Sequence, residues 1–391
     1  MNTVRYIFFW GRCVPLSKLE AQSLLPHVQF SDLSTDSSIC SEISLSEIEA
    51  FAAKAGGVVK IAIVRDETGD VDAKKLAEIL MNETSEGKRI VFAINSEGKN
   101  FIVTSEFLES IKHILTDKGV SSRYLQTKGG STSAVAIDKE RATELSIVES
   151  TTGFIIGKTI FSQEYEAWNR REYGRPYSDA KRGMLPIKVA RMVVNIALRG
   201  VPPQSKPLET RRLLLDPFCG MGSILGEALV GGWNVVGSDI SEEVLVRSQK
   251  NIEWLVKESD IPAGRFIFFL SDATHVSKHL EPDSIDAIVT EPYMGSTDIG
   301  EGSISVEKAK NIAKGLGKLY TGCLRDWHSL LKPNGIVVLA IPKFYISDRE
   351  IYVKNVVDRC EMLGYTTKAG PIEYSRPQAK VRREFYIFEK K

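Results

Sequence analysis

Apolar and polar positions follow two different rhythms along the chain. Residues 4–10, VRYIFFW, are β-branched and aromatic and predict a strand. PLSKLEAQSLL follows with apolar residues at helical spacing and Ser17 placed as its N-cap. SDLSTDSSICSE (31–42) is polar and serine-rich, which predicts a loop. SLSEIEAFAAKAG predicts a helix that stops at Gly56-Gly57, and VVKIAIV (58–64) predicts a strand. A helix, a strand at 90–96 (IVFAINS), a helix over TSEFLESIKHILTDKG and a strand at 133–137 (SAVAI) complete a small α+β pattern by about residue 150.

The rhythm changes further on. IKVARMVVNIAL predicts a helix with Pro186 suited to its first turn, and PPQSKPLETRR predicts a loop. From Leu213 onward short apolar strands alternate with helical patterns: LLLDPF, SILGEALV, NVVGSD, EEVLVRSQKNIEWL, RFIFFLSD, SIDAIVTEPY, a helix around 305–332, and GIVVLAIP. Such alternation predicts βαβ units, a parallel sheet and right-handed crossovers.

Composition narrows the class without naming a function. A chain of 391 residues holds two or three domains, and 43% hydrophobic with 26% charged residues describes an ordinary globular protein. A net charge of +1 does not announce a nucleic-acid binder. The five cysteines are scattered with no CxxC, which suits a reducing cytosol better than a disulfide or zinc scaffold. The apolar run in MNTVRYIFFWGRC is too short for a signal peptide, and no run approaches a membrane span. A cytoplasmic protein without a membrane partner is therefore expected. Charge is nonetheless uneven. Residues 151–210 carry ten Lys and Arg against five Asp and Glu, with aromatics interleaved in YEAWNRREYGRPYSDAKRGMLP.

In open parallel sheets ligands sit beyond the carboxyl ends of the strands, and four acids fall at four successive strand ends. Asp216 closes the first, and Gly220 and Gly222 follow in a tight turn, with Ser223 placed to cap the next helix. Asp239 closes the second, where an acid accepts hydrogen bonds from both hydroxyls of a ribose. Asp272 closes the third, placed to meet an adenine amino group, and Glu291 closes the fourth. A dinucleotide fold would show G-x-G-x-x-G, whereas this turn reads D-x-x-x-G-x-G. An acid there repels a pyrophosphate and suits the ammonium of a methionine moiety, so S-adenosylmethionine is favoured over NAD. Cys219 has no histidine–acid pair near it in sequence and reads as a small filler. His275 and His279 share a helical spacing but have no third ligand nearby, so no metal is expected.

DPFCGMG, GSDIS, LSDAT and TEPY resemble motifs I to IV of class I methyltransferases that act on exocyclic amino groups. REYGRPYSDAKRGMLPIKVARMVVNIAL (171–198) is similar to the linker and entry helix of the archaeal-type tRNA guanosine-N2 methyltransferases, whose usual target is position 10. GGVVKIAI (56–63) and SSRYLQTKGGSTSAVAI (121–137) resemble parts of a THUMP domain, a module that docks tRNA, and YIFFWGRCVPLSKLEAQSLL looks like that family's ferredoxin-like N-terminal element. The resemblance implies an α/β fold with a ferredoxin-like element at 1–50, a THUMP-like module at 51–150, a basic linker at 151–185 and a Rossmann-like methyltransferase domain at 186–391. It implies cofactor contacts from Asp216, Phe218, Gly220, Gly222, Asp239, Ile240, Asp272 and Ala273.

In the family a D-P-P-Y motif grips the amino hydrogens of the base and stacks an aromatic on it. This sequence reads E-P-Y-M-G, with the acid one methylene longer and the aromatic one place early. The catalytic group implied is Glu291, Pro292 and Tyr293. RNA contacts are implied for Arg123, Lys128, Arg171, Arg175, Arg182 and Arg382. The expected activity is methyl transfer to the N2 of a guanosine in tRNA. Amino methylation of another RNA or DNA base, a degenerate tRNA-binding protein, and the need for a small activating subunit all stay open.

Overall fold

The computed structural model describes residues 4–85, 88–98, 100–126, 132–179, 184–198, 212–258, 265–296, 304–354, 356–376 and 378–391. The chain divides into two compact units: 1–14, 27–53 and 58–165 form the first, and 15–26, 54–57 and 166–391 form the second.

The first unit is built on one eight-stranded sheet of order β2-β3-β1-β4-β8-β7-β5-β6. Its strands are β1 (Tyr6–Trp10), β2 (Ser31–Asp32), β3 (Ser37–Cys40), β4 (Val58–Thr68), β5 (Ile90–Glu97), β6 (Ser122–Tyr124), β7 (Thr143–Ser150) and β8 (Gly153–Ser162). The expected boundary at residue 50 falls inside this sheet, because β1 pairs with β4. The sheet also runs past the expected boundary at 150, because β8 pairs with both β4 and β7. Helices α3 (Ala73–Asn82) and α4 (Ser105–Asp117) bury Leu76, Leu80, Leu108 and Ile111 with Phe92 and Ile147 of the sheet.

Two local expectations change here. SAVAI lies in helix α5 (Ala134–Lys139), where Ser133 caps the N-terminus by accepting from the Ala136 N–H. A five-residue apolar run cannot be told from a helix turn by periodicity, and the cap decides it. The serine-rich stretch 31–42 contains β2 and β3 rather than only a loop. Ser37 and Ser38 are fully buried, and Ser38 Oγ accepts from Trp10 Nε1 at 2.9 Å and donates to Asp32 at 2.8 Å. Satisfied hydroxyls make a polar strand buriable.

The second unit contains a seven-strand path of order β11-β10-β9-β12-β13-β16-β15. β9 (Leu213–Asp216), β10 (Asn234–Asp239), β11 (Phe266–Leu270), β12 (Ile285–Thr290) and β13 (Leu331–Ile346) run parallel, and β16 (Val381–Lys390) inserts antiparallel between β13 and β15 (Tyr365–Tyr374). Leu214, Leu215, Ile288 and Val337 are completely buried, as the central strands of a sheet covered on both faces must be. Helix α8 (Ser223–Val230) and helix α9 (Glu242–Glu258) connect the first three strands. The long helix α10 (Val306–Leu330) buries Ala309, Ala313, Leu316, Tyr320, Leu324 and Trp327, spaced three or four apart on one face. The strand order reverses between β9 and β12, so their carboxyl ends form a switch point, the place where such sheets bind ligands.

Helix α1 (Val14–Leu24) belongs mostly to this unit. Ser17 is buried inside it and faces Met192 Sδ of helix α7 (Ile187–Ala197), so it does not cap α1. Pro186 sits at the N-cap of α7, one place ahead of the first turn. Among the described residues no helix is long and apolar enough to cross a membrane.

Candidate active site

The tips of β9, β10 and β12 bring three of the expected acids into one another's electric field. Asp216 is 1% exposed and accepts from Thr290 Oγ1 at 2.6 Å and from the Phe218 N–H at 3.2 Å. Burial, opposed by these hydrogen bonds and reinforced by the charges of Asp239 and Glu291, pushes its carboxyl up to about 7. Asp239 is held by two backbone donors, Gly220 N–H at 3.2 Å and Ser241 N–H at 3.0 Å, one on each carboxylate oxygen. Lone pairs on both oxygens stay available for a pair of hydroxyls.

The glycine turn makes this approach feasible. Gly220 and Gly222 have φ of 50° and 80°, and a Cβ on Gly222 would lie 2.7 Å from Ser248 Oγ. Gly222, not Ser223, occupies the N-cap position of α8. Cys219 is buried and its thiol is pushed up chiefly by that burial, which leaves little thiolate for nucleophilic work.

Asp272, at the tip of β11, is exposed and accepts from the N–H and Oγ1 of Thr274 at 2.8 and 2.7 Å, which hold its carboxyl below the usual range. Its tip is tied to the next by Ser271 N–H donating to Asp239 O at 3.1 Å. Ala273 is buried, and its carbonyl accepts from Trp327 Nε1 at 2.9 Å, so α10 fixes this turn. Ile240 is 76% exposed beside Asp239, and Phe218 packs edge-on against Trp327.

Glu291 follows directly on β12. Its side chain is 15% exposed and forms an ion pair with Arg383 Nε of β16. Burial raises its carboxyl, opposed by that guanidinium. Pro292 is buried, Tyr293 is 57% exposed, and the Tyr293 carbonyl accepts from Tyr320 Oη at 2.7 Å. Gly295 has φ 102°, a left-handed backbone that glycine adopts without strain.

The expected RNA contacts divide differently. Arg171 Nε donates to Glu227 Oε1 at 2.8 Å, with its guanidinium 4.3 Å from the centre of the Trp168 ring. Arg191 Nε donates to Glu227 Oε2 at 2.7 Å, and Glu227 is 2% exposed. The Arg175 side chain is 5% exposed and donates to Ser223 Oγ at 2.8 Å and the Glu172 carbonyl at 3.1 Å. Arg171 and Arg175 line a cavity of about 30 Å³ behind the glycine turn, room for about one water. Arg382 donates to Glu373 at 3.2 Å. Arg123, in the first unit, pairs with Glu140 at an exposed position. Lys128 and Arg182 lie outside the described residues.

Sequence reasoning missed Thr290 and Tyr320. Thr290 has one local signal, a hydroxyl ending an apolar strand, but Tyr320 has none because its partner lies in another element. Arg383, in the basic segment YSRPQAKVRR, carries no local sign of the acid it meets on another strand.

The fold is a Rossmann-like methyltransferase fold. The crystal structure of TrmN from Thermus thermophilus matches with a TM-score of 0.55 and 16% identity, over 99% of this chain and 100% of that one. That of a possible methylase from Clostridium difficile 630 matches with a TM-score of 0.52 and 14% identity, over 99% and 98%. No protein-family model matches the chain. In sequence it is similar to two proteins named tRNA (guanine(10)-N2)-dimethyltransferase. The one from Pyrococcus abyssi is 26% identical over 222 residues, 56% of this chain and 53% of that protein. The one from Methanothermobacter thermautotrophicus is 30% identical over 192 residues, 49% and 48%. The chain thus spans about half the length of the curated relatives it matches.

Proposed function

We propose that this chain transfers a methyl group from S-adenosylmethionine to the exocyclic N2 of a guanosine in tRNA, position 10 being the site in its relatives' names. The observation that carries this reading is the cluster of Asp216, Asp239 and Glu291 on three neighbouring strand tips, where burial and then the charges of Asp239 and Glu291 raise the carboxyl of Asp216. Such a crevice favours a cationic ligand. A sulfonium and an ammonium, the cationic groups of S-adenosylmethionine, suit that crevice.

Bound there, S-adenosylmethionine supplies an electrophilic methyl group. Asp239 would hold the ribose hydroxyls, Asp272 the adenine amino group and Asp216 the ammonium. Ile240 offers an apolar edge to the adenine. Glu291 accepts from the guanine amino group and localises its lone pair, and the exposed ring of Tyr293 offers a stacking face. Glu291 would take up the amino proton that the transfer releases. Orientation supplies much of the rate, and fixed dipoles stabilise the charge that builds on nitrogen.

The first unit, in this reading, docks tRNA in the manner of a THUMP-like module in the cytoplasm, and positions the target base for unstacking. The deciding experiment is mass mapping of modified nucleosides in bulk tRNA incubated with the protein and methyl-labelled S-adenosylmethionine. Label in N2-methylated guanosine supports the reading. Label in another nucleoside, or tRNA binding with no affinity for the cofactor, overturns it.

A further inference from the structure

Arg383 lies in the segment YSRPQAKVRR, which reads as a basic patch for phosphate, yet the fold turns it inward. β16 runs antiparallel along β13, with Arg383 opposite Pro342, while Thr290 of β12 pairs with Leu339 of the same strand. The guanidinium thereby reaches the tip of β12, and Nε donates to Glu291 Oε1. Both side chains are 15% exposed, so the pair is shielded from bulk water. Among the described residues Glu291 Oε2 makes no hydrogen bond, and one carboxylate oxygen is left for another donor.

We propose that Arg383 is a positioning residue for methyl transfer: it anchors one oxygen of Glu291 and keeps the acid ionised so that the other can accept from the target amine. The inference rests on the function proposed above. The groups facing Glu291 make the need for a cation clear. Asp216 of β9 and Tyr320 of α10 both feel its charge, and Arg383 of β16 is the cation that offsets its burial. Without the guanidinium a shielded carboxylate beside another acid would take up a proton. A protonated Glu291 cannot receive the amino proton, so activity needs the ionised form. The departure of E-P-Y-M from D-P-P-Y also finds a reason. The additional methylene lets a single acid span both a guanidinium on β16 and a base beyond the strand tips.

The test is the pH dependence of kcat/KM for full-length enzyme with tRNA and S-adenosylmethionine. For Arg383→Gln the acid limb should move to higher pH by about 1–2 units. Activity should fall about 10–100-fold at a pH well below the displaced limb and recover toward the wild-type value in alkali, with KM for tRNA within about threefold. Arg383→Lys, which keeps the charge but not the planar donor, should leave the limb near its wild-type position and lower kcat. An acid limb that superimposes on wild type in Arg383→Gln, while Glu291→Gln abolishes turnover, overturns this inference alone. Full turnover in Glu291→Gln overturns the role of Glu291 and the inference with it. If thermal melts show Arg383→Gln unfolded, Arg383→Lys decides: a lowered kcat on an unmoved limb supports the positioning role, and an unchanged kcat overturns it.

Discussion

The strand tips and the basic stretch that runs from α6 (Tyr165–Tyr173) through α7 both carry conspicuous charge, but the structure uses that charge in opposite ways. At the tips, carboxylates stand close together with incomplete compensation, and burial, reinforced by the neighbouring charges, raises the carboxyl of Asp216 to about 7. In the basic stretch, Arg171 and Arg191 are both spent on the single buried carboxylate of Glu227, and Arg175 on Ser223 and a backbone carbonyl. Uncompensated charge at a surface crevice is a site waiting for a ligand. Charge neutralised inside the fold is architecture, and sequence composition does not tell the two apart.

The sharpest way to break this contrast is at Glu291. Glu291→Ala should lower kcat by about 10²–10⁴-fold, the range for a group that moves a proton in the transition state, with tRNA binding near normal by gel shift. Turnover within a few-fold of wild type would remove Glu291 as the acceptor. The opposite pole is Glu227. Glu227→Ala leaves two inward guanidinium groups without their carboxylate, which should cost about 3–5 kcal/mol of stability. The midpoint of denaturant unfolding measures it. A loss well under 1 kcal/mol would mean that this arginine cluster is not structural.

Asp239→Ala removes an acceptor that the Gly220 and Ser241 amides hold in place. Loss of charged hydrogen bonds to a ribose should weaken S-adenosylmethionine by about 1.5–3 kcal/mol, or about 10–100-fold. Unchanged affinity by calorimetry would refute the assignment.

The positions of the four tip acids were legible in sequence because each ends an apolar run, and a strand ends where that run ends. The glycine turn was legible for the same local reason. The partners were not. Thr290 lies 74 positions from Asp216, and Arg383 lies 92 from Glu291, and only the completed sheet joins them. SAVAI failed as a strand because a cap three residues from Ala136 outweighs a short apolar run. The serine-rich 31–42 segment failed as a loop because hydroxyls can be satisfied by distant side chains such as Trp10. Arg171 and Arg175 show the same limit: an arginine beside a tryptophan looks identical whether it meets a phosphate or a buried glutamate.

A smaller effect comes from the raised carboxyl of Asp216. With its carboxyl near 7, the free protein carries a proton there at pH 6. An ammonium beside it favours the ionised form, so binding must expel that proton. Affinity for S-adenosylmethionine should fall about tenfold from pH 8 to pH 6. Binding enthalpy at pH 6 should depend on the buffer's ionisation heat, and Asp216→Asn should flatten both trends. Affinity that is independent of pH in the wild-type protein would place the ammonium elsewhere.

The smallest effect is expected at Arg123, which lies between the two poles. Its pairing with Glu140 is exposed, with side chains 45% and 42% accessible. An exposed pair is worth about 0–1 kcal/mol, so a phosphate can displace it at little cost. If Arg123 meets tRNA, Arg123→Gln should weaken tRNA binding about threefold and lower the salt slope of log K by about one. Glu140→Gln, which frees the guanidinium, should strengthen binding slightly and leave the slope intact. Should both substitutions leave affinity and slope unchanged, Arg123 belongs with Arg171 and Arg175 among the cations the fold keeps for itself.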